Sequence, residues 1–218
     1  MRNISKSGNY SDSLNNFVIN EVPNGSKCLD VGCWTGNLGV ALIKEKKCRI
    51  DGLDVDNKVL TKARKAGYEK TYLVNLNNDN YSLKNINDKY DLIIFADVLE
   101  HLINPIEILQ DFKKKLTPDG KIIVSLPNIG FFLNRINLLI GKWEYRDFGC
   151  LDKTHLRFYT INTAKQLVES AGMEVLKVKP YNQFGILRYL NKFNNIIPSL
   201  LAYQTLIVAK LNRSNHIL

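Results

Sequence analysis

Cysteine is sparse and scattered in this chain of 218 residues: Cys28, Cys33, Cys48 and Cys150 form no C-x-x-C pair. That spacing excludes a zinc ribbon and a disulfide scaffold, and predicts reduced thiols in a cytoplasmic setting. No apolar run approaches the ~20 residues that cross a bilayer, so no transmembrane segment is expected. The opening Met1-Arg2-Asn3-Ile4-Ser5 lacks the apolar stretch of a secretory signal. Internal repeats and long linkers are absent. Acidic residues are missing after Glu174, where Lys177, Lys179, Arg188, Lys192, Lys210 and Arg213 follow. The net charge is +9, but the chain is rich in Lys and Asn throughout, and the lysines lie at solvent-facing helical positions. This reads as a solvated surface rather than a nucleic-acid footprint. The 45% hydrophobic and 23% charged fractions are those of a globular protein, and the length suits a single domain over 1–218.

The most informative stretch is Cys28-Leu29-Asp30-Val31-Gly32-Cys33-Trp34-Thr35-Gly36-Asn37-Leu38-Gly39. It reads as an apolar strand that enters a glycine-punctuated turn and opens a helix, which places backbone N–H groups and a close backbone against a ligand. The next apolar strand ends in Gly52-Leu53-Asp54-Val55-Asp56. A carboxylate there suits the two hydroxyls of a ribose. Strands are predicted near 27–32, 49–54, 71–74, 90–95, 121–126, 173–179 and 205–209. Helices are predicted at 12–21, 37–46, 57–66, after Asn104-Pro105, at 131–140, 161–171 and 186–197, with a turn at Thr117-Pro118-Asp119-Gly120. The centre of 90–95 is continuously apolar, as in a parallel strand buried on both faces. The alternation predicts an α/β doubly wound sheet.

Four segments fall in order: Leu29-Asp30-Val31-Gly32-Cys33-Trp34-Thr35-Gly36, Gly52-Leu53-Asp54-Val55-Asp56, Tyr90-Asp91-Leu92-Ile93-Ile94-Phe95-Ala96-Asp97-Val98-Leu99-Glu100-His101, and Leu116-Thr117-Pro118-Asp119-Gly120-Lys121. As a set they resemble the class I S-adenosylmethionine-dependent methyltransferases. The segment Leu151-Asp152-Lys153-Thr154-His155-Leu156-Arg157-Phe158-Tyr159-Thr160 further resembles a bacterial subgroup associated with sugar and envelope-polysaccharide pathways. The resemblance implies a Rossmann-like, seven-stranded sheet, mostly parallel with an antiparallel last strand and helices on both faces. It implies a cofactor-binding core at 26–128, with lid or acceptor-side insertions at 129–160 and 181–200. S-adenosylmethionine is the implied cofactor. Asp30, Gly32, Cys33 and Gly36 would border its methionine part, and Asp54 would accept the ribose hydroxyls. Val55 would pack on the adenine, Asn75 and Leu76 would read its edge, and Ala96 and Asp97 would face both cofactor and acceptor. The chain departs from the family at Trp34, which stands where a glycine is usual; the expectation is that the position accommodates a side chain.

Methyl transfer to oxygen needs a base beside the methyl group. His101, Asp97 and His155 are the candidate catalytic residues. Asp97, Glu100 and His101 lie within one turn after the fourth strand and His155 returns on a later loop. Two carboxylates and two imidazoles of this kind would also hold a divalent cation. The pattern is similar to the metal-bearing site of small-RNA 2′-O-methyltransferases and to ubiquinone-pathway O-methyltransferases. The expected acceptor is a small molecule or saccharide intermediate, the protein being a monomer or a homodimer. Nucleic acid is not expected, since no aromatic-studded basic strand is visible; a metal-assisted RNA methyltransferase is the rival enzyme. A cofactor-binding protein without catalysis, or an envelope-associated partner of another enzyme, is the rival of another class; Trp34 and the apolar 131–140 segment support it, and a membrane surface is the alternative setting for that segment. The turn reads Gly32-x-x-x-Gly36-x-x-Gly39 rather than G-x-G-x-x-G, which argues against a nicotinamide dehydrogenase.

Overall fold

The computed structural model describes residues 16–182, 189, 191–192, 194 and 196–212. Seven strands form one sheet: β1 (Lys27–Val31), β2 (Arg49–Asp54), β3 (Lys70–Leu73), β4 (Tyr90–Ala96), β5 (Leu116–Pro127), β6 (Met173–Tyr181) and β7 (Gln204–Leu211). Their order is β3-β2-β1-β4-β5-β7-β6. Only β7 runs against its neighbours, lying antiparallel to both β5 and β6. The expected mostly parallel sheet with an antiparallel last strand is therefore found.

Strand β4 shows why the sheet must be covered twice. Successive side chains of a strand point to opposite faces. Ile93 and Phe95 join a core with Leu29, Leu109, Phe112 and Val168. Leu92 and Ile94 join a second core with Ile50, Leu42, Leu60 and Tyr68. Helices α1 (Asn37–Lys46) and α2 (Asn57–Lys65) cover the second face, and α3 (Pro105–Lys113) and α5 (Ile161–Ser170) cover the first. Local signals set their ends. The Asp56 side chain accepts from Lys58 N–H at α2, Pro105 opens α3, and Thr160 with Thr163 forms a reciprocal cap on α5. A short helix α4 (Phe132–Leu139) follows β5, and α6 (Pro198–Leu201) precedes β7.

One expectation is corrected. Thr117-Pro118-Asp119-Gly120 is not a turn ahead of the fifth strand but an irregularity inside it. Tyr90 pairs with Leu116 and Leu92 with Lys121, so 117–120 bulge from the ladder, where Pro118 lacks the N–H that pairing needs. Of the helix expected at 12–21, residues 16–19 are helical and 12–15 lie outside the described residues. Most of the one expected at 186–197 also lies outside them. All four cysteines are buried and free. Among the described residues no helix is long and apolar enough to cross a membrane.

Candidate active site

The strand order reverses direction between β1 and β4, and a sheet of this kind opens a crevice beyond the carboxyl ends of the strands at that point. Register puts the expected residues there together. Val31 is level with Leu53 on β2 and Phe95 on β4, so Gly32, Asp54 and Ala96 follow one step further on, side by side.

The glycine turn works differently from the sequence expectation. Gly32 and Cys33 both donate their N–H to the Leu53 carbonyl, and Gly36 donates to Cys33. The turn thus spends these amides on its own closure and offers a ligand close approach instead. Gly32 sits at φ +70°, and a Cβ there would lie 2.7 Å from Val98. The Cys33 thiol turns inward to the second core, where burial raises its pKa. Trp34 occupies φ +49°, the left-handed region where the family's glycine is at ease and other residues are strained by about 1–2 kcal/mol. Its N–H donates to Asp54 Oδ2 at 3.0 Å, while Asp56 N–H donates to Asp54 Oδ1 at 3.0 Å. These two bonds fix the Asp54 carboxylate and leave acceptor capacity for a diol, since a carboxylate has about four lone-pair sites. Val55 is exposed beside it. Asn75 is exposed, its side-chain oxygen accepting from Asn77 N–H at 3.0 Å, and Leu76 packs partly against the first core.

Tyr68 was not singled out by sequence, yet it organises the turn. A Cβ at Gly36, Gly39 or Gly52 would come within 2.8, 2.3 or 2.7 Å of its side chain. The glycines therefore make room for a tyrosine as much as for a ligand. Its hydroxyl donates to Asp30 Oδ2 at 2.6 Å and accepts from Gly39 N–H at 3.1 Å, which ties β1 to the first turn of α1. Burial raises the Tyr68 pKa well above its ordinary value, so the hydroxyl keeps the proton it donates. Tyr68→Phe keeps the ring and deletes both bonds. We expect a loss of about 1–3 kcal/mol in thermal unfolding and a several-fold rise in KM for the nucleoside cofactor with kcat little changed. A KM equal to wild type would separate Tyr68 from the site.

At the end of β4, Asp97 takes φ +55° and is buried. Its carboxylate accepts from the Ser125 hydroxyl at 2.8 Å and from the Gln204 amide at 2.9 and 3.1 Å. Its own N–H donates to Ser125 Oγ. Ser125 and Gln204 also went unnoticed in the sequence. The available signal was a lone polar residue inside or beside an otherwise apolar strand.

Beyond Asp97 a 3₁₀ turn, Leu99–His101, carries the next two candidates. The loop bearing His155 is stitched to it. Leu156 and Arg157 N–H both donate to the Glu100 carbonyl, and the Arg157 guanidinium reaches the Ile103 carbonyl. Asn77 fastens the other side, donating to the His101 carbonyl at 2.8 Å and accepting from Ile103 N–H at 2.9 Å. Glu100, His101 and His155 can each present one donor atom so that all lie within 4.8 Å of one another. Asp97, expected with them, is not in that group.

The ring nitrogens of His155 can be assigned from their partners. His155 Nδ1 faces the Cys150 carbonyl at 3.3 Å, which only accepts, so Nδ1 carries the proton. His101 Nδ1 faces both the Thr154 carbonyl and Thr154 Oγ1, each at 3.2 Å. His155 Nε2 then presents a lone pair and stands 3.8 Å from Glu100 Oε1. Desolvation, then the neighbouring His101, lower the pKa of His155 below its ordinary 6.5, which keeps it neutral and basic at pH 7.

A conserved-domain description, the methyltransferase domain, matches residues 7–178. The chain belongs to the methyltransferase domain family. Its fold and crevice are those of an S-adenosylmethionine-dependent methyltransferase. Over part of its length this methyltransferase is 32% identical to a ubiquinone biosynthesis O-methyltransferase of Actinobacillus pleuropneumoniae, the match covering 48% of this chain and 47% of that protein. It thus spans about half of that relative. It is 27% identical to a demethylmenaquinone methyltransferase of Bacillus cytotoxicus, over 77% of this chain and 78% of the other. Among solved structures it is similar in fold to a TehB-like SAM-dependent methyltransferase of Corynebacterium glutamicum. There the TM-score is 0.60 at 17% identity, covering 92% of this chain and 88% of that one.

Proposed function

We propose that this methyltransferase methylates a hydroxyl of a small molecule, at the Glu100–His101–His155 cluster beside Asp97. The observation that carries the reading is the convergence of the His101 and His155 imidazoles with the Glu100 carboxylate, the His155 Nδ1 proton being committed to the Cys150 carbonyl, just beyond the crevice where Asp54 is held. S-adenosylmethionine, when bound, would supply an electrophilic methyl group whose sulfur leaves as a neutral thioether. Asp54 would clasp its ribose, Asp30, Gly32, Cys33 and Gly36 would border the methionine part, Val55, Asn75 and Leu76 would border the adenine, and Ala96 with Asp97 would lie between cofactor and acceptor. His155 Nε2 takes the hydroxyl proton as the new oxygen–carbon bond forms, and His101 is its partner in orienting the acceptor oxygen. A phenolic hydroxyl is favoured over a saccharide one for two reasons. Phe158 and Trp143 form a run of edge-on ring contacts with His155, and one relative carries the name ubiquinone biosynthesis O-methyltransferase.

The same donor set, two imidazoles and a carboxylate, fits a divalent cation, though Asp97 would not be among its ligands. A bound cation would supply Lewis acidity that lowers the hydroxyl pKa. The test is methyl transfer to a panel of phenols and sugar nucleotides, followed by mass shift, before and after chelation. The reading predicts a gain of one methyl on a phenol; activity lost to a chelator and restored by magnesium, manganese or zinc would make His155 Nε2 a ligand of the cation in place of its role as base. Indifference to the chelator removes the metal and leaves His155 as the base; methylation of nitrogen or carbon instead of oxygen overturns the reading.

A further inference from the structure

The lid leaves an apolar surface that the proposed chemistry does not use. No side chain of α4 is buried. Leu139 is 85% exposed, Ile140 61% and Phe148 69%, and Leu133 and Ile136 are exposed beside them. Soluble monomers rarely present such a run without a partner for it. The end of the helix stands clear of the body: Gly141 takes φ +73°, and a Cβ there would meet nothing within 4 Å. Within 132–148 the charges are Arg135, Lys142 and Arg146 against Glu144 and Asp147, and Arg135 and Lys142 are exposed on either side of Leu139. Beyond it, Asp147 is ion-paired with Lys153.

The surface is continuous with the cluster. Trp143 meets Phe158 edge-on at 5.7 Å, Phe158 meets His155 at 6.3 Å, and His155 meets His101 at 4.7 Å. A strip of rings thus runs from the exposed patch to the paired histidines.

We propose that α4 and the loop to Phe148 dock the protein on an anionic lipid bilayer, with Leu139 and Ile140 entering the acyl boundary and Arg135 and Lys142 at the headgroups. An apolar helix face flanked by cations suits that interface, where burial and headgroup attraction act together. Docked this way, the mouth of the site opens onto lipid. Resting on the reading of the cluster as acceptor site, the acceptor class is then an amphiphile, its hydroxyl-bearing head at His155 and its apolar body along Phe158 and Trp143.

The experiment is co-sedimentation of the full chain with phosphatidylglycerol-containing vesicles and with pure phosphatidylcholine vesicles. The expected result is binding to the anionic vesicles that weakens at high salt and falls at least tenfold in the double variant Leu139→Asp/Ile140→Asp and in Arg135→Glu/Lys142→Glu. Heat of binding with S-adenosylhomocysteine should be unchanged in the Leu139→Asp/Ile140→Asp protein, which shows that it is folded. Three results would overturn the proposal: no more sedimentation with vesicles than without, equal binding by the Leu139→Asp/Ile140→Asp protein, or a concentration-dependent dimer dissolved by those substitutions without vesicle binding. The last would make the face a contact between copies of this chain. None of these outcomes depends on catalysis, so failure here and failure of the methylation reading are separately visible.

Discussion

His155→Ala is expected to lower kcat for methyl transfer by roughly 10²–10⁴-fold, the range that a positioned general base supplies, while S-adenosylhomocysteine still binds. The side chain is buried, only 6% exposed, its Nδ1 proton is committed to the Cys150 carbonyl, and its Nε2 faces the carboxylate of Glu100. The pH dependence follows from the same environment. Burial, with His101 next, depresses the pKa of His155 below 6.5. The unfolded chain therefore takes up this proton before the folded one does. Stability falls as pH drops from 6.5 toward the folded pKa, and is unaffected above 6.5. Activity keeps its base to a lower pH than an ordinary histidine would allow. In His155→Gln the stability loss below pH 6.5 should be shallower, measured by urea unfolding between pH 5 and 7. An unchanged slope, or a kcat within tenfold of wild type for the alanine variant, would remove His155 from the mechanism.

Asp54→Ala is the second large effect. Two charge-assisted hydrogen bonds to a ribose diol contribute about 1.5–3 kcal/mol each, so the affinity for S-adenosylmethionine should fall by roughly 10²–10⁴-fold. The substitution also releases the N–H groups of Trp34 and Asp56, which the carboxylate now holds at 3.0 Å each. Asp54→Asn separates the two effects: its amide oxygen can keep one of those bonds, yet it accepts only from one side. We expect it to retain the fold, with a smaller drop in melting temperature than Asp54→Ala, and still to bind the cofactor at least tenfold more weakly. Calorimetric titration checks both; an Asp54→Ala protein that binds like wild type would relocate the ribose.

The sheet was legible because its signals are local. Continuous apolar runs such as Leu92–Phe95, the glycine turn after Val31 and caps such as Thr160 each act over a few residues. The antiparallel β7 was expected through resemblance, and the chain confirms it by pairing Ile123 with Val208 and Val178 with Ile207. The 117–120 segment was misplaced because a proline-glycine stretch looks alike in a turn and in a bulge. In the site, the residues following β1, β2 and β4 were placed through the resemblance, position by position. What sequence could not show is which distant residues hold them. Tyr68 reaches Asp30 across 38 positions, and Gln204 reaches Asp97 across 107. Asn77 anchors His101 from 24 positions away. Such contacts are fixed by packing, which no local pattern encodes. Trp34 has the same lesson in reverse. A side chain was expected to be accommodated at this glycine position, and its contribution to Asp54 is its backbone N–H, which any non-proline residue supplies.

The central claim is that the crevice beyond β1, β2 and β4 binds an adenosyl sulfonium and no nicotinamide dinucleotide. Thermal unfolding of the wild-type chain with S-adenosylhomocysteine, beside the same scan with NAD, tests it most directly. At a hundredfold excess over Kd a ligand of the folded state adds about 2.7 kcal/mol, which for a chain of this size raises Tm by about 5–10 °C. The account predicts that rise with S-adenosylhomocysteine and none with NAD. A flat response to S-adenosylhomocysteine, or an equal rise with NAD, would contradict it.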